Sequence, residues 1–475
     1  MSTSCDNSKS GDDDDELQLY PIRWFFLAVA AMLFLIYCFS GVSVTQINNI
    51  FVLYFHVSYA VVDWGAIGNF AGSLLAAMPV AWLTYTKYLQ FRRLVITSAG
   101  LLCLSFAIGM AAFADTKLFP LLVIGQFLNG VCVALHFPMS LALTMAWFPH
   151  KEVGTALGVF LFGGSAGLML GTLVPSQVVM QPPVNATSRN TIWRRVDFEA
   201  CLVMWGIPLA ICFVLLILMV GLAADYPPKP PTLVQKEKRK NPDKQSSFQD
   251  FLRTCKNLLK DINCLIVFIA GSIIYHVNTG EYTIMTQLMT KVLRGSNYDV
   301  DIMSSYSTTL MSAGGVIGSL VGGKIVNMSK RYKVQVIVMA LLATFTSGLV
   351  LTAYHYNSYQ AMFAMNVVFG FSARSYTVSL IEILTQTTYP INESFVMTIF
   401  NATGCFVTII VAELGRLVYN NSGGFWMLTF QTGFAFIGLL LTITISNSNE
   451  RFDAETMLRG DAQESKEDTS LLHGS

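Results

Sequence analysis

The chain alternates long apolar stretches with short polar turns, and one long basic interruption between Ala223 and Ile262 leaves six stretches on either side of it. A helix crosses the hydrocarbon core with about 20 predominantly apolar residues, and irregular backbone facing lipid would leave polar groups unpaired. The pattern predicts twelve transmembrane helices at about residues 22–45, 62–84, 92–113, 119–146, 152–176, 199–222, 263–290, 300–324, 334–354, 360–386, 393–418 and 424–446. The predicted organisation is an acidic, disordered cytoplasmic N-terminus (1–21), a six-helix bundle (22–222), a basic cytoplasmic linker (223–262), a second six-helix bundle (263–446) and a disordered cytoplasmic tail (447–475). Within the linker, Phe248 to Leu259 reads as a short amphipathic segment lying along the inner membrane surface.

The two halves echo one another. Phe148, Pro149 and Glu152 after the fourth stretch recur as Tyr389, Pro390 and Glu393 after the tenth, at a constant offset of 241. Tyr85-Thr86-Lys87-Tyr88 after the second stretch likewise matches Ser329-Lys330-Arg331-Tyr332 after the eighth. This pattern predicts an all-α integral membrane protein with a twelve-transmembrane-helix major facilitator fold, built as two pseudo-symmetric six-helix bundles. Proline suits a helix start and a first-turn carboxylate complements the helix dipole. Glu152 and Glu393 are therefore helix-start residues, clamps between the halves, or both. Glycine-rich stretches at Gly154 to Gly171 and Gly314 to Gly323 predict close helix approach.

Composition agrees with the pattern: 53% of residues are hydrophobic, 12% are charged and mean hydropathy is +0.53. With both termini cytoplasmic, twenty-two of the 30 Lys and Arg lie inside, six outside, and Arg374 and Arg416 within spans, the positive-inside signature. The first span is expected to serve as an uncleaved signal, since no basic n-region or cleavage site precedes it. A net charge of +1 argues against a nucleic-acid partner. The nine cysteines show neither a disulfide framework nor a zinc spacing, and no cofactor is expected. No nucleophile and base pattern or nucleotide loop points to an enzyme. Asn185 of Asn185-Ala186-Thr187 is an outward glycosylation candidate, whereas Asn327 falls inside and is expected to be silent.

An intramembrane charge costs roughly 2.5–3.5 kcal/mol, so each one invites a functional reading. Four stand out: Glu281 in the seventh stretch, Arg374 and Glu382 in the tenth and Glu413 in the eleventh. The seventh is richest, with Tyr275, His276, Asn278, Glu281, Tyr282 and Gln287 within thirteen positions. Glu281 and Arg374 are expected to pair, either as a switch or as static satisfaction of two buried charges. Glu382 reads as a proton or cation site or as a residue reaching the inner interface. Glu413 reads as a coupling group or as the i, i+3 partner of Arg416. Gln126, Asn129 and His136 supply neutral polar groups in the fourth stretch.

Several segments resemble the feline leukemia virus subgroup C receptor-related transporters of the major facilitator superfamily. They are Asn49-Ile50-Phe51, Val62-Asp63-Trp64, Ala81-Trp82-Leu83, Trp147-Phe148 with Lys151-Glu152-Val153, Thr279-Gly280 with Tyr282, and Glu382 with Thr388-Tyr389-Pro390. The resemblance runs from about Arg23 to Asn447 and implies a small-molecule carrier of choline or ethanolamine, or an exporter of haem. More distant lysosomal relatives move other small organic solutes. A quaternary ammonium is held by cation–π contact, and the family's span-seven tyrosine matches Tyr282. Its span-one tryptophan is Gly41 here, and its span-five glutamine is Ser165. Tyr37, Phe39, Phe162 and Tyr376 are the aromatic candidates to fill that gap. His136 and His276 are the imidazoles available to haem iron. A receptor or sensor without net transport is the contrasting class. The plasma membrane is the expected location. A lysosomal one follows if Leu471 and Leu472, in an acidic dileucine pattern, engage sorting adaptors.

Overall fold

The computed structural model describes residues 18–179, 198–232, 235–236, 247–294, 296, 298–329, 331–446 and 457. Asn185, Leu471 and Leu472 lie outside the described residues. The first half contains Ile22–Gln46, Tyr59–Tyr85, Phe91–Ala111, Phe119–Trp147, Val153–Val178 and Ile207–Leu222, here spans one to six. The second half contains Ile262–Val292, Val300–Ser329, Tyr332–His355, Tyr359–Thr387, Glu393–Ser422 and Gly424–Thr444, spans seven to twelve. Among the described residues eleven helices are long and apolar enough to cross a bilayer, and span seven completes the set as the continuation of the linker helix Phe248–Lys260, which meets its first part at 78°.

The helix starts are set by polar side chains at the turns. Asp261 accepts from the Asn263 and Cys264 amides at the start of span seven, at 2.9 and 3.4 Å. Asn392 does the same for Ser394 and Phe395 at the start of span eleven, at 3.0 and 3.2 Å. Each bond satisfies an orphan first-turn donor. The linker helix begins with a capping box of Ser247 and Asp250. One element departs from the expected pattern: the chain breaks at Ile47 and resumes as a short helix, Asn48–Phe55, between spans one and two. Hydropathy does not separate the two, because both are apolar.

Glycines let the backbones approach within each half by the same device. A Cβ on Gly72 or Gly130 would fall 2.1 Å from the Phe127 carbonyl and 1.8 Å from the Asn69 carbonyl, between spans two and four. A Cβ on Gly314 or Gly370 would fall 1.9 Å from the Val367 carbonyl and 1.8 Å from the Met311 carbonyl, between spans eight and ten. No side chain larger than hydrogen fits at these four positions of the two crossings.

The halves meet along two seams, spans five with eight and spans two and four with eleven. In the first, a Cβ on Gly158 would fall 2.6 Å from the Ser319 carbonyl, and one on Gly323 would fall 2.4 Å from that of Gly154. At the end carrying the basic turns, Asn327 accepts from the Gly154 amide at 2.9 Å and donates to Thr155. There Tyr85 packs on Phe395 at 5.2 Å between ring centroids, and Asn392 donates to the Thr84 carbonyl at 3.5 Å. Toward the other end, Ser305 donates to Gln46 at 3.3 Å and Thr172 bonds Thr309 at 2.9 Å.

Candidate functional site: a polar centre at the junction of the halves

Midway along the spans, both halves place polar side chains at their junction. From the second half, the Arg374 guanidinium lies 5.3 Å from the centroid of the Tyr275 ring, within cation–π range. Its stem runs past Gly315, where an added Cβ would sit 2.9 Å from Arg374 Cγ and 3.3 Å from Ser165 Oγ. Glycine on span eight thus lets an arginine of span ten approach a serine of span five. Arg374 is 6% exposed and Ser165 is fully buried. Ser165 Oγ has no hydrogen-bond partner among the described residues.

The first half contributes neutral groups. The Tyr37 hydroxyl donates to Asn69 Oδ1 at 3.2 Å, and Asn129 Nδ2 donates to the Tyr37 carbonyl at 3.3 Å. These bonds leave Asn69 Nδ2 and Asn129 Oδ1 buried without partners among the described residues. Gly41 lies beside both amides: its Cβ would stand 3.7 Å from Asn69 Nδ2 and 3.9 Å from Asn129 Nδ2, ordinary contact with no clash. At the position where the resembling family carries tryptophan, the space is bordered by the spare donor of Asn69 and by the amide nitrogen of Asn129.

Around this centre, Phe137 of span four meets Tyr275 of span seven at 6.2 Å between ring centroids. On span eleven, Asn401 donates to Ser73 of span two at 3.1 Å. A hollow of about 10 Å³, the size of one water, lies among Phe137, Ser272, Tyr275, Phe400, Asn401 and Gly404. A larger cavity of about 250 Å³ opens at the basic end, bordered by Lys87, Asp225, Gln235, Tyr389, Asn392 and Glu393 among others.

Comparison with known proteins shows the family of the chain. The sequence model of the Major Facilitator Superfamily matches residues 29–412. The chain belongs to this superfamily. It is similar to the choline/ethanolamine transporter flvcr2b of Danio rerio, at 25% identity over 92% of this chain and 86% of that one. It is also similar to the choline/ethanolamine transporter FLVCR2 of Homo sapiens, at 23% identity over 98% of this chain and 85% of that one. The resemblance read from the sequence is borne out. Among solved structures, FucP in the outward conformation covers 89% of this chain and is itself 99% covered, with TM-score 0.67 and 13% identity. The proton:xylose symporter XylE covers 91% of it and is 98% covered, with TM-score 0.66 and 13% identity. At that identity these two show the fold.

Within this facilitator fold the residues singled out from the sequence take distinct positions. Arg374 and Ser165 come together. Tyr376 does not join them: it is fully buried with its hydroxyl 3.0 Å from that of Thr442. This corrects its reading as an aromatic wall of the site, because it packs toward span twelve. Gln126 is 3% exposed and donates to the Ser40 carbonyl and hydroxyl at 3.4 and 3.3 Å, tying span four to span one. His136 has Nδ1 2.7 Å from the Cys132 carbonyl and Nε2 3.2 Å from the Ser98 hydroxyl. Both ring nitrogens are committed to helix packing, which argues against a role for it in holding haem iron. The side chains of His276, Asn278, Glu281, Tyr282 and Gln287 lie outside the described residues, although their backbone is helical within span seven.

The four candidate coupling carboxylates also separate. Glu382 is 2% exposed; Oε1 accepts from Gln386 at 3.1 Å, and Oε2 has no partner among the described residues. Glu152 reaches Arg23 at 3.0 Å, joining spans one and five at the basic end. Glu393 occupies the first turn of span eleven and borders the larger cavity. Glu413 pairs with Arg416 at 2.8 Å with both side chains half exposed, the local i, i+3 pair. Sequence reasoning missed Asn69. An asparagine within an apolar stretch was the signal that could have found it.

Proposed function

We propose that this protein is a solute carrier that moves a small amino alcohol of the choline or ethanolamine type across the plasma membrane by alternating access. The bundles 22–222 and 263–446 are its two rocking bodies, joined by the basic linker 223–262. The reading is supported by the similarity to choline/ethanolamine transporters and carried by one observation: a polar centre assembled from both halves, with spare hydrogen-bonding atoms on Asn69 and Asn129. A substrate hydroxyl accepts from Asn69 Nδ2 and donates to Asn129 Oδ1. Its ammonium takes the face of Tyr275, where the Arg374 guanidinium lies in the structure.

In this scheme Arg374 is a tethered stand-in for the substrate cation. Substrate entry displaces it from the ring, and Gly315 gives its stem the room to move. Tyr282 and Glu281 on span seven belong to the same site in this reading, as do Asn278 and Gln287, with Glu281 attracting the cation. Glu382 is the group available for proton coupling.

The deciding experiment is uptake of labelled choline and ethanolamine into sealed proteoliposomes, repeated with Tyr275→Ala, Tyr282→Ala and a pH gradient. Accumulation that falls in the tyrosine variants is the expected result. Binding without accumulation would identify a receptor. Uptake that ignores both tyrosines would remove the site from span seven, and uptake indifferent to the gradient would remove Glu382 from coupling. Replacing Leu471 and Leu472 by alanine, and observing whether the protein's location shifts, tests the plasma membrane against the lysosome.

A further inference from the structure

The linker helix Phe248–Lys260 carries three stripes at helical spacing. Phe251, Thr254 and Leu258 form the first. Phe251 and Leu258 are 1% and 3% exposed, and Thr254 Oγ1 lies 3.2 Å from the Tyr85 hydroxyl. The Phe251 ring packs on Trp82 and Tyr85 of span two, at 5.3 and 5.5 Å between centroids, and on Phe395 of span eleven at 5.8 Å. One side chain therefore bridges the two halves at the basic end.

The second stripe is Phe248, Leu252 and Leu259, which are 55, 46 and 53% exposed although apolar, and it leads to Ile262 at the start of span seven. Beside it runs the third, the exposed cations Arg253, Lys256 and Lys260. Asp250, 3.9 Å from Arg253, screens that one charge in part. The 78° turn into span seven sets the helix nearly across the direction of a membrane-crossing helix, and so close to the plane of the bilayer surface. An apolar stripe flanked by cations at that angle fits acyl chains on one side and anionic headgroups on the other.

We propose that the linker helix docks on anionic phospholipids of the cytoplasmic leaflet, and that docking holds the Phe251 bridge and hence the cytoplasmic ends of spans two and eleven together. Each basic side chain near such a surface raises partitioning roughly fivefold. Docking itself stands apart from any substrate. Only its consequence for opening of the ends of spans two and eleven rests on the alternating-access reading.

The test is hydrogen exchange of the full chain in nanodiscs of phosphatidylcholine alone or with about a third phosphatidylserine. With phosphatidylserine, exchange over 248–260 and over the facing ends of spans two and eleven should slow roughly fivefold or more, and high salt should remove the difference. Arg253→Gln with Lys256→Gln and Lys260→Gln should abolish the lipid response. Phe251→Ala should keep it in the linker helix and lose it at the span ends. Equal exchange in both lipids, or a lipid response intact in the triple variant, overturns the docking. Span ends that still respond in Phe251→Ala overturn the bridge. The readout needs no substrate, so its failure is distinguishable from a failure of the transport reading.

Discussion

Spans two and four of the first half and spans eight and ten of the second are packed alike and equipped differently. Gly72 and Gly130 allow one crossing, Gly314 and Gly370 the other, with carbonyls at nearly the same distances. Yet span four carries Asn129 and His136, both hydrogen-bonded to neighbours. Span ten carries Arg374 against a tyrosine ring and a buried Glu382. The repeat is a repeat of backbone approach. Arg374 and Glu382 place charge, which is costly in a bilayer, deep within span ten, whereas span four carries none and the charge of span two is Asp63 near its start.

The sharpest way to break this comparison is at its shared part. Gly130→Leu and Gly370→Leu should each remove nearly all folded protein from the membrane, read by fluorescence-detected size exclusion, because overlap with a carbonyl leaves no relaxed packing. Survival of one but not the other would show that the crossings are not equivalent. The next effect falls on one half only. Arg374→Ala should lower uptake by at least about tenfold while leaving the amount of folded protein near normal, and Arg374→Lys should restore part of it. Loss of folded protein instead would mark Arg374 as structural.

Smaller effects test the neutral half. Asn129→Ala should raise the KM for a hydroxyl-bearing substrate by roughly tenfold or less, in line with one hydrogen bond of about 1 kcal/mol, and leave kcat little changed. An equal rise for an analogue lacking the hydroxyl would refute that contact. Smallest of all, Glu413→Gln should alter uptake and thermal stability by less than about 0.5 kcal/mol, since an exposed i, i+3 pair contributes little. A large loss of uptake would return Glu413 to the coupling groups.

Legibility from the sequence followed the same division. Span two was expected at about 62–84 and is Tyr59–Tyr85, and span ten at about 360–386 is Tyr359–Thr387. Crossing helices announce themselves because each must be apolar over its whole length. Arg374 was conspicuous for the converse reason, as a charge within such a stretch. Tyr376 misled, because one helical residue in a polar neighbourhood can face a neighbouring helix as readily as the junction, and here its hydroxyl meets Thr442. The spare atoms of Asn69 and Asn129 were illegible, since an asparagine shows its satisfied and unsatisfied ends only once its partners are placed.

The sequence by itself determined that twelve helices cross a membrane, that they form two related halves, and where charge interrupts them. These follow from the solvent, since lipid penalises every polar residue locally. Only the tertiary structure decided that Gly315 brings Arg374 past Ser165, that Gly41 stands beside two amides, and that Phe251 of the linker joins spans two and eleven. Those are contacts between segments far apart in the chain, set by helix rotation and crossing, on which hydropathy is silent.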